Sequence, residues 1–233
     1  MKINRLLMTA IFSFVGVLAV AQSWMMQPQG PVNEFSAMEG TSVLNYNFQV
    51  ERNIHSRAGN GPVFYIFPDC KLDNNQALEL AGNLDLVNII KEYGGRIMVV
   101  NPSSDKWQEQ DLEDFRRLIG MGSSPTNVKV IGIGSGATFV NRQLAATELT
   151  GVIAGIVSID GEPGKICRLP VPAFIGGKNA AKAAKPYQTT SDSAPADPLQ
   201  KVVVNTDKKA SLETLFAEAW DKVLSANYRY NNL

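Results

Sequence analysis

A glycine-rich turn contains the residues best suited to chemistry in this chain. It reads Gly132-Ile133-Gly134-Ser135-Gly136-Ala137 and follows an apolar, β-branched run that begins at Val128. Glycines allow the backbone to pass close to another backbone or to a ligand, so the pattern predicts a strand, a tight turn and a helix. Two chemistries use such a turn. One is nucleophilic attack by a serine hydroxyl, here Ser135. The other is phosphate binding at a helix N-terminus.

The phosphate interpretation rests on the dinucleotide-binding fingerprint. Gly132, Gly134 and Ala137 match the spacing G-x-G-x-x-G/A after a predicted strand, and Asp160 ends the next strand. The glycines would let a pyrophosphate approach the helix N-terminus, while the Asp160 carboxylate would accept hydrogen bonds from a ribose. A dinucleotide-binding protein is therefore one alternative.

Composition excludes several classes of function. Of 233 residues 45% are hydrophobic, and 22 basic residues balance 22 acidic ones. There is consequently a sizeable core but no basic patch of the kind that binds nucleic acid. The single histidine, His55, excludes most histidine-based metal sites and limits acid–base mechanisms. We expect no cofactor, no metal and no nucleic-acid partner. We expect the binding partner to be a small molecule or a protein, and the sequence does not identify it.

The N-terminus has the pattern of an export signal. Lys2 and Arg5 precede an apolar stretch, and Ala19-Val20-Ala21 forms the small-x-small site that signal peptidase cleaves. The apolar stretch is shorter than the roughly 20 residues that span a bilayer. The sequence therefore predicts a signal peptide over 1–21 and a single domain over 22–233. It also predicts a periplasmic or secreted product without a stable membrane anchor.

Apolar runs alternate with helical patterns along the rest of the chain. Predicted strands cover 43–50, 63–67, 97–100, 128–133, 152–159, 171–175 and 202–204. Predicted helices cover 80–90, 112–118 and 211–223, and a short helix followed by a loop is predicted for 180–198. This alternation predicts an α/β fold with a mainly parallel sheet and helices on both faces. The strands ending at Phe67, Val100, Ile133 and Ile159 should share that sheet, with Gly134 at its C-terminal edge.

With this order of elements, the turn resembles the nucleophile elbow of the α/β-hydrolase superfamily. The closest likeness is to exported bacterial esterases of the polyhydroxybutyrate-depolymerase or feruloyl-esterase type. The resemblance implies a three-layer sandwich and places the nucleophile at Gly134, which has no side chain to attack a carbonyl. Ser135 follows one residue late, and in its frame the bulky Ile133 occupies a position where the family needs a small residue.

The other catalytic positions that the resemblance implies also lack the expected side chains. The acid should follow the strand 171–175, where the chain reads Gly176-Gly177-Lys178-Asn179. The histidine should follow the last strand, where 205–209 contains none, and His55 precedes the elbow. A serine without a base remains protonated and weakly nucleophilic.

Further candidate residues lie at the ends of the predicted strands. Asp69 and Cys70 fall in the loop where the family builds part of its oxyanion hole from backbone N–H groups, so both could form an oxyanion or ligand rim with Asp160. Glu162 could join that rim, and two aromatic residues, Trp107 and Tyr187, could line a ligand cleft. Cys70 and Cys167 are expected on the same edge, either as a disulfide or as free thiols.

Three functions follow from these observations. The preferred hypothesis is an exported α/β-hydrolase-fold protein that lacks a catalytic triad and works by binding a ligand or partner. The first alternative is a serine carboxylic-ester hydrolase that uses Ser135 with a histidine from outside the chain. The second is the dinucleotide-binding protein described above.

Overall fold

The fold is taken from a computed structural model. It describes residues 36–38, 41–48, 63–93, 95–121, 128–149, 152–169, 171–193 and 201–225. All of them belong to one compact unit, Val32–Leu233. The predicted signal peptide and His55 lie outside the described residues.

An eight-stranded sheet forms the centre of this unit. Its strands in chain order are β1 (Ser36–Met38), β2 (Thr41–Phe48), β3 (Val63–Phe67), β4 (Gly95–Val100), β5 (Val128–Ile133), β6 (Ile153–Ile159), β7 (Ala173–Gly176) and β8 (Val202–Asn205). Their spatial order is β1-β2-β4-β3-β5-β6-β7-β8. β2 is antiparallel to both of its neighbours, and the six strands from β4 to β8 in this order are mutually parallel. The predicted parallel sheet is confirmed, including the four strands expected to share it.

Helices connect the strands. In chain order they are α1 (Asn74–Asn83), α2 (Leu86–Tyr93), α3 (Glu109–Met121), α4 (Ser135–Phe139), α5 (Ala180–Ala183), α6 (Lys185–Ser193) and α7 (Leu212–Ala219). α4 and α7 each continue into a π-helical turn, Val140–Leu144 and Trp220–Leu224.

Two helix predictions need correction. The single helix expected over 80–90 is two helices, because Asp85 adopts a left-handed φ of 53° that an α-helix does not tolerate. Its carboxylate accepts a hydrogen bond from Asn88 at 2.7 Å, a local contact typical of aspartate in this conformation. The short helix and loop expected over 180–198 are instead two helices, α5 and α6, that extend to Ser193.

Two apolar layers cover the sheet, one on each face. α3, α4, α5 and α6 pack on one face through a cluster that includes Phe115, Phe139 and Tyr187. α1, α2 and α7 pack on the other through a cluster that includes Leu84, Leu86 and Phe216. This is the predicted three-layer sandwich, and in it the end of β5 lies at the C-terminal edge of the parallel strands.

Within the described part of the chain, the helices are too short or too polar to cross a bilayer.

Candidate functional site at the elbow

Gly134 forms the tip of the turn that joins β5 to α4. Its backbone has φ 57° and ψ −117°, a conformation that is strained for residues with a side chain. The N–H of Gly134 donates to the Ile159 carbonyl at 2.9 Å, and its own carbonyl accepts from the Thr138 N–H at 3.0 Å. These bonds fix the turn between β6 and the first turn of the helix. Gly134 thus has the sharp backbone geometry that an elbow gives its nucleophile.

The space beside Gly134 is filled by the carboxylate of Asp69. A Cβ atom built on Gly134 would lie 2.6 Å from Asp69 Cγ and closer still to Oδ1. Oδ1 also accepts a 2.6 Å hydrogen bond from the backbone N–H of Ser135. In an elbow, the N–H of the residue after the nucleophile is an oxyanion-hole donor. Asp69 therefore fills the space that a nucleophilic side chain at position 134 would need. It also occupies the backbone N–H of Ser135, which would otherwise be free to donate to an oxyanion.

Ser135 is exposed, but its hydroxyl is already engaged. Its Oγ donates to the main-chain carbonyl of Asp69. A serine nucleophile needs a base that accepts the proton from this hydroxyl, and a carbonyl oxygen cannot take it. The described ranges contain no histidine. In the structure, Ser135 donates a hydrogen bond that joins the β3–α1 loop to the elbow.

Asp160 and Glu162 are bound to the turn after β7. Asp160 has a left-handed φ of 59°, and its Oδ1 accepts from the Lys178 N–H at 2.8 Å. Glu162 Oε1 accepts from the side-chain amide of Asn179 at 2.8 Å. Each carboxylate thus has a partner from its own chain. Nowhere in the described residues do three or more His, Cys, Asp or Glu side chains form a cluster suited to a metal ion.

The glycines of the turn are required by packing within the protein. A Cβ on Gly132 would lie 2.6 Å from Ala137 Cα, and one on Gly136 would lie 2.5 Å from the carbonyl oxygen of Pro68. Their spacing is therefore explained without a bound phosphate. A pyrophosphate at this turn would also meet the Asp69 carboxylate, and two anions repel each other at this distance. The geometry disfavours the dinucleotide alternative.

The two aromatic candidates have structural partners. Trp107 is half-buried, stacks on Phe139 with ring centroids 4.7 Å apart, and donates from Nε1 to the Pro68 carbonyl at 3.1 Å. Tyr187 is buried, and its hydroxyl donates to Asn141 Oδ1 at 2.9 Å. Burial, helped by the nearby Cys167, raises the pKa of Tyr187 well above its ordinary value. The Tyr187 hydroxyl is therefore used within the core, whereas Trp107 supports the elbow loop.

Neither cysteine takes part in a disulfide bond. Cys70 is exposed beside Asp69, whereas Cys167 is buried and its thiol contacts the Leu169 carbonyl at 3.4 Å. Of the two possibilities left open by the sequence, the structure has the unbridged one.

Replacing Tyr187 with phenylalanine should destabilise the protein by about 1–3 kcal/mol, because the buried Asn141 Oδ1 loses its donor. Urea denaturation measures the change. A double-mutant cycle with Asn141→Ala provides the control, since the two substitutions should be strongly non-additive. Additive effects would show that the hydrogen bond contributes nothing.

The sequence predicts Asp69 as a rim residue but does not predict the role of its carboxylate. Its contact with the elbow joins positions 66 residues apart in the chain. The signal that could have revealed it is the combination of glycine at the nucleophile position and a carboxylate in the oxyanion loop.

Comparisons with known proteins identify the fold. No family model matches the sequence, and no curated protein matches it. Among solved structures, a protein described as a predicted CIB-like hydrolase from Thermoplasma acidophilum aligns with a TM-score of 0.51 at 11% identity, covering 85% of this chain and 96% of that one. MGS-M1, an α/β-hydrolase enzyme from a Medee basin deep-sea metagenome library, gives 0.51 at 14% identity, with the same coverage of 85% and 96%. The esterase domain of a Rhodothermus marinus protein gives 0.50 at 11% identity, with coverage of 84% and 96%. The chain shares the fold of these proteins.

Proposed function

We propose that this protein of α/β-hydrolase fold is a non-catalytic binding protein whose elbow is closed by its own carboxylate. One observation carries the proposal: Asp69 fills the space of the missing side chain at Gly134 and accepts the hydrogen bond of the Ser135 N–H. An ester carbonyl needs both of these positions, one for the attacking oxygen and one for the oxyanion.

The energetics of acyl transfer support this proposal. Loss of a single triad member costs on the order of 10⁴ to 10⁶ in turnover, and such losses are not additive. Here the nucleophile position is a glycine and the Asn179 amide lies where the acid is expected. The segment after β8 contains no histidine. An anion in the oxyanion hole further opposes a substrate that develops negative charge there.

A second candidate function is ester hydrolysis by Ser135 with a base supplied from outside the chain. It is favoured by the exposed position of Ser135 at the elbow and by the esterase domain among the structural neighbours. The hydrogen bond from Ser135 Oγ to the Asp69 carbonyl argues against it, because this bond directs the hydroxyl towards the loop.

Hydrolysis of an activated ester such as p-nitrophenyl acetate tests the proposal. We expect the protein to act no faster than a non-enzymatic protein surface, and Gly134→Ser to give no gain, because the new side chain meets Asp69 and has no base. The double variant Asp69→Gly, Gly134→Ser should also be inactive, since clearing the space supplies no proton acceptor.

A serine-directed phosphonate distinguishes the two candidate functions, with Ser135→Ala as the matched control. The proposal expects no labelling of Ser135. Stoichiometric labelling that disappears in Ser135→Ala would instead identify an active serine hydrolase. A rise in melting temperature with a nicotinamide dinucleotide would favour the dinucleotide alternative.

A further inference from the structure

Lys129 is a buried cation on the central strand of the sheet. It lies on β5, its side chain is fully buried, and its Nζ has no hydrogen-bond partner among the residues that the structure describes. In the sheet it is in register with Phe64 on β3 and Gly155 on β6. Burying an ammonium without a partner costs several kcal/mol, so this position is unfavourable unless the amine is neutral.

Gly155 provides the room for this side chain. A Cβ on Gly155 would lie 3.5 Å from Lys129 Cδ and 3.8 Å from its Nζ. The same Cβ would lie 3.3 Å from Leu224, in the π-helical turn that follows α7. The lysine side chain therefore passes over Gly155, close to the last turn of the C-terminal helical segment, Leu212–Leu224.

No described charged side chain compensates Lys129. β3 and β6 contain no acidic or basic residue. On the C-terminal helical segment, Asp221 and Lys222 are exposed, as is Glu213. Its remaining carboxylate, on Glu218, is paired with Lys222 and with Asn205. Burial alone lowers the pKa of Lys129 from 10.5 to about 7.

We propose that Lys129 is an acid-sensitive latch, in which protonation of its buried amine releases the C-terminal helical segment from the sheet. Leu224 packs over Gly155, next to the amine. When the segment opens, Leu224 moves away and water can reach the amine there. The segment follows the last strand of the sheet, so it can leave without separating any two strands. Release therefore needs less disruption than opening the sheet.

The direction of the pH effect follows from linkage. The opened amine binds a proton below its ordinary pKa of 10.5, whereas the closed amine binds one only below about 7. Between these values the open state holds more protons, so opening becomes about tenfold more favourable for each pH unit that the solution is acidified. Below the lower value the effect levels off.

Amide hydrogen exchange of the full chain between pH 7 and 9, corrected for intrinsic rates, tests the latch. In the wild type, protection of the amides in 215–224 should rise about tenfold per pH unit. In Lys129→Met, which keeps the apolar stem and has no charge, protection should be independent of pH. The segment should also open with a lower free energy than the central strands β5 and β6.

Four results would overturn the proposal. The first is wild-type protection in 215–224 that does not change with pH, and the second is the same pH dependence in Lys129→Met. The third is an opening free energy for this segment that equals that of the central strands. In that case protonation of Lys129 would favour unfolding of the whole domain and not release of the segment. A Lys129 side chain that titrates near its ordinary pKa by NMR would exclude the latch without any variant.

Discussion

Replacing Lys129 with methionine is expected to raise the free energy of unfolding at pH 7 by about 3–5 kcal/mol. At this pH the unfolded chain binds a proton that the folded chain binds poorly, because burial lowers the pKa from 10.5 to about 7. Each pKa unit corresponds to about 1.4 kcal/mol of differential binding. Methionine fills a similar volume with no group to desolvate, so the penalty disappears.

The pH dependence makes this prediction specific. The wild-type free energy of unfolding should rise with pH from about 7 towards 10.5. In this range the unfolded state binds a proton that the folded state does not, and raising the pH removes that advantage of the unfolded state. The difference between wild type and Lys129→Met should shrink by about 1.4 kcal/mol per pH unit. Urea denaturation from pH 6 to 10 measures it. Lys182→Met, at an exposed lysine, is the matched control and should change stability by less than about 0.5 kcal/mol. A destabilised Lys129→Met, or a difference that does not vary with pH, would contradict the prediction.

The sheet could be predicted from the sequence because its strands are covered on both faces. Such strands appear as continuous apolar runs, as in 63–67 and 153–159, and their alternation with helical patterns leaves few topologies. The break at Asp85 could not be predicted this way. The apolar spacing continues across it, and only the left-handed backbone of Asp85 separates the two helices.

The candidate site was predictable only where local sequence determines it. The glycine pattern predicts the elbow, because the turn brings other atoms so close to Gly132, Gly134 and Gly136 that a side chain at these positions would clash. The Asp69 contact depends on how a distant loop folds over the elbow, and no spacing within the sequence encodes that. The burial of Lys129 is hidden in the sequence for a different reason. One lysine among β-branched residues leaves the strand pattern intact, yet on a central strand covered on both faces it has no route to solvent.

Gly136→Ala should destabilise the protein by more than about 4 kcal/mol, or prevent folding, because the elbow cannot move away from β3. The added Cβ would lie 2.5 Å from the carbonyl carbon of Phe67 and 2.5 Å from the carbonyl oxygen of Pro68. Both atoms belong to backbone, and Phe67 is itself fully buried, so neither atom can shift cheaply. Gly82→Ala is the matched control: a Cβ there meets nothing within 4 Å, and alanine in helix α1 should add up to about 1 kcal/mol. Thermal unfolding measures both. If Gly136→Ala unfolded at the wild-type temperature, the close contact between the elbow and the β3–α1 loop would be wrong, and with it the placement of Asp69 beside Gly134.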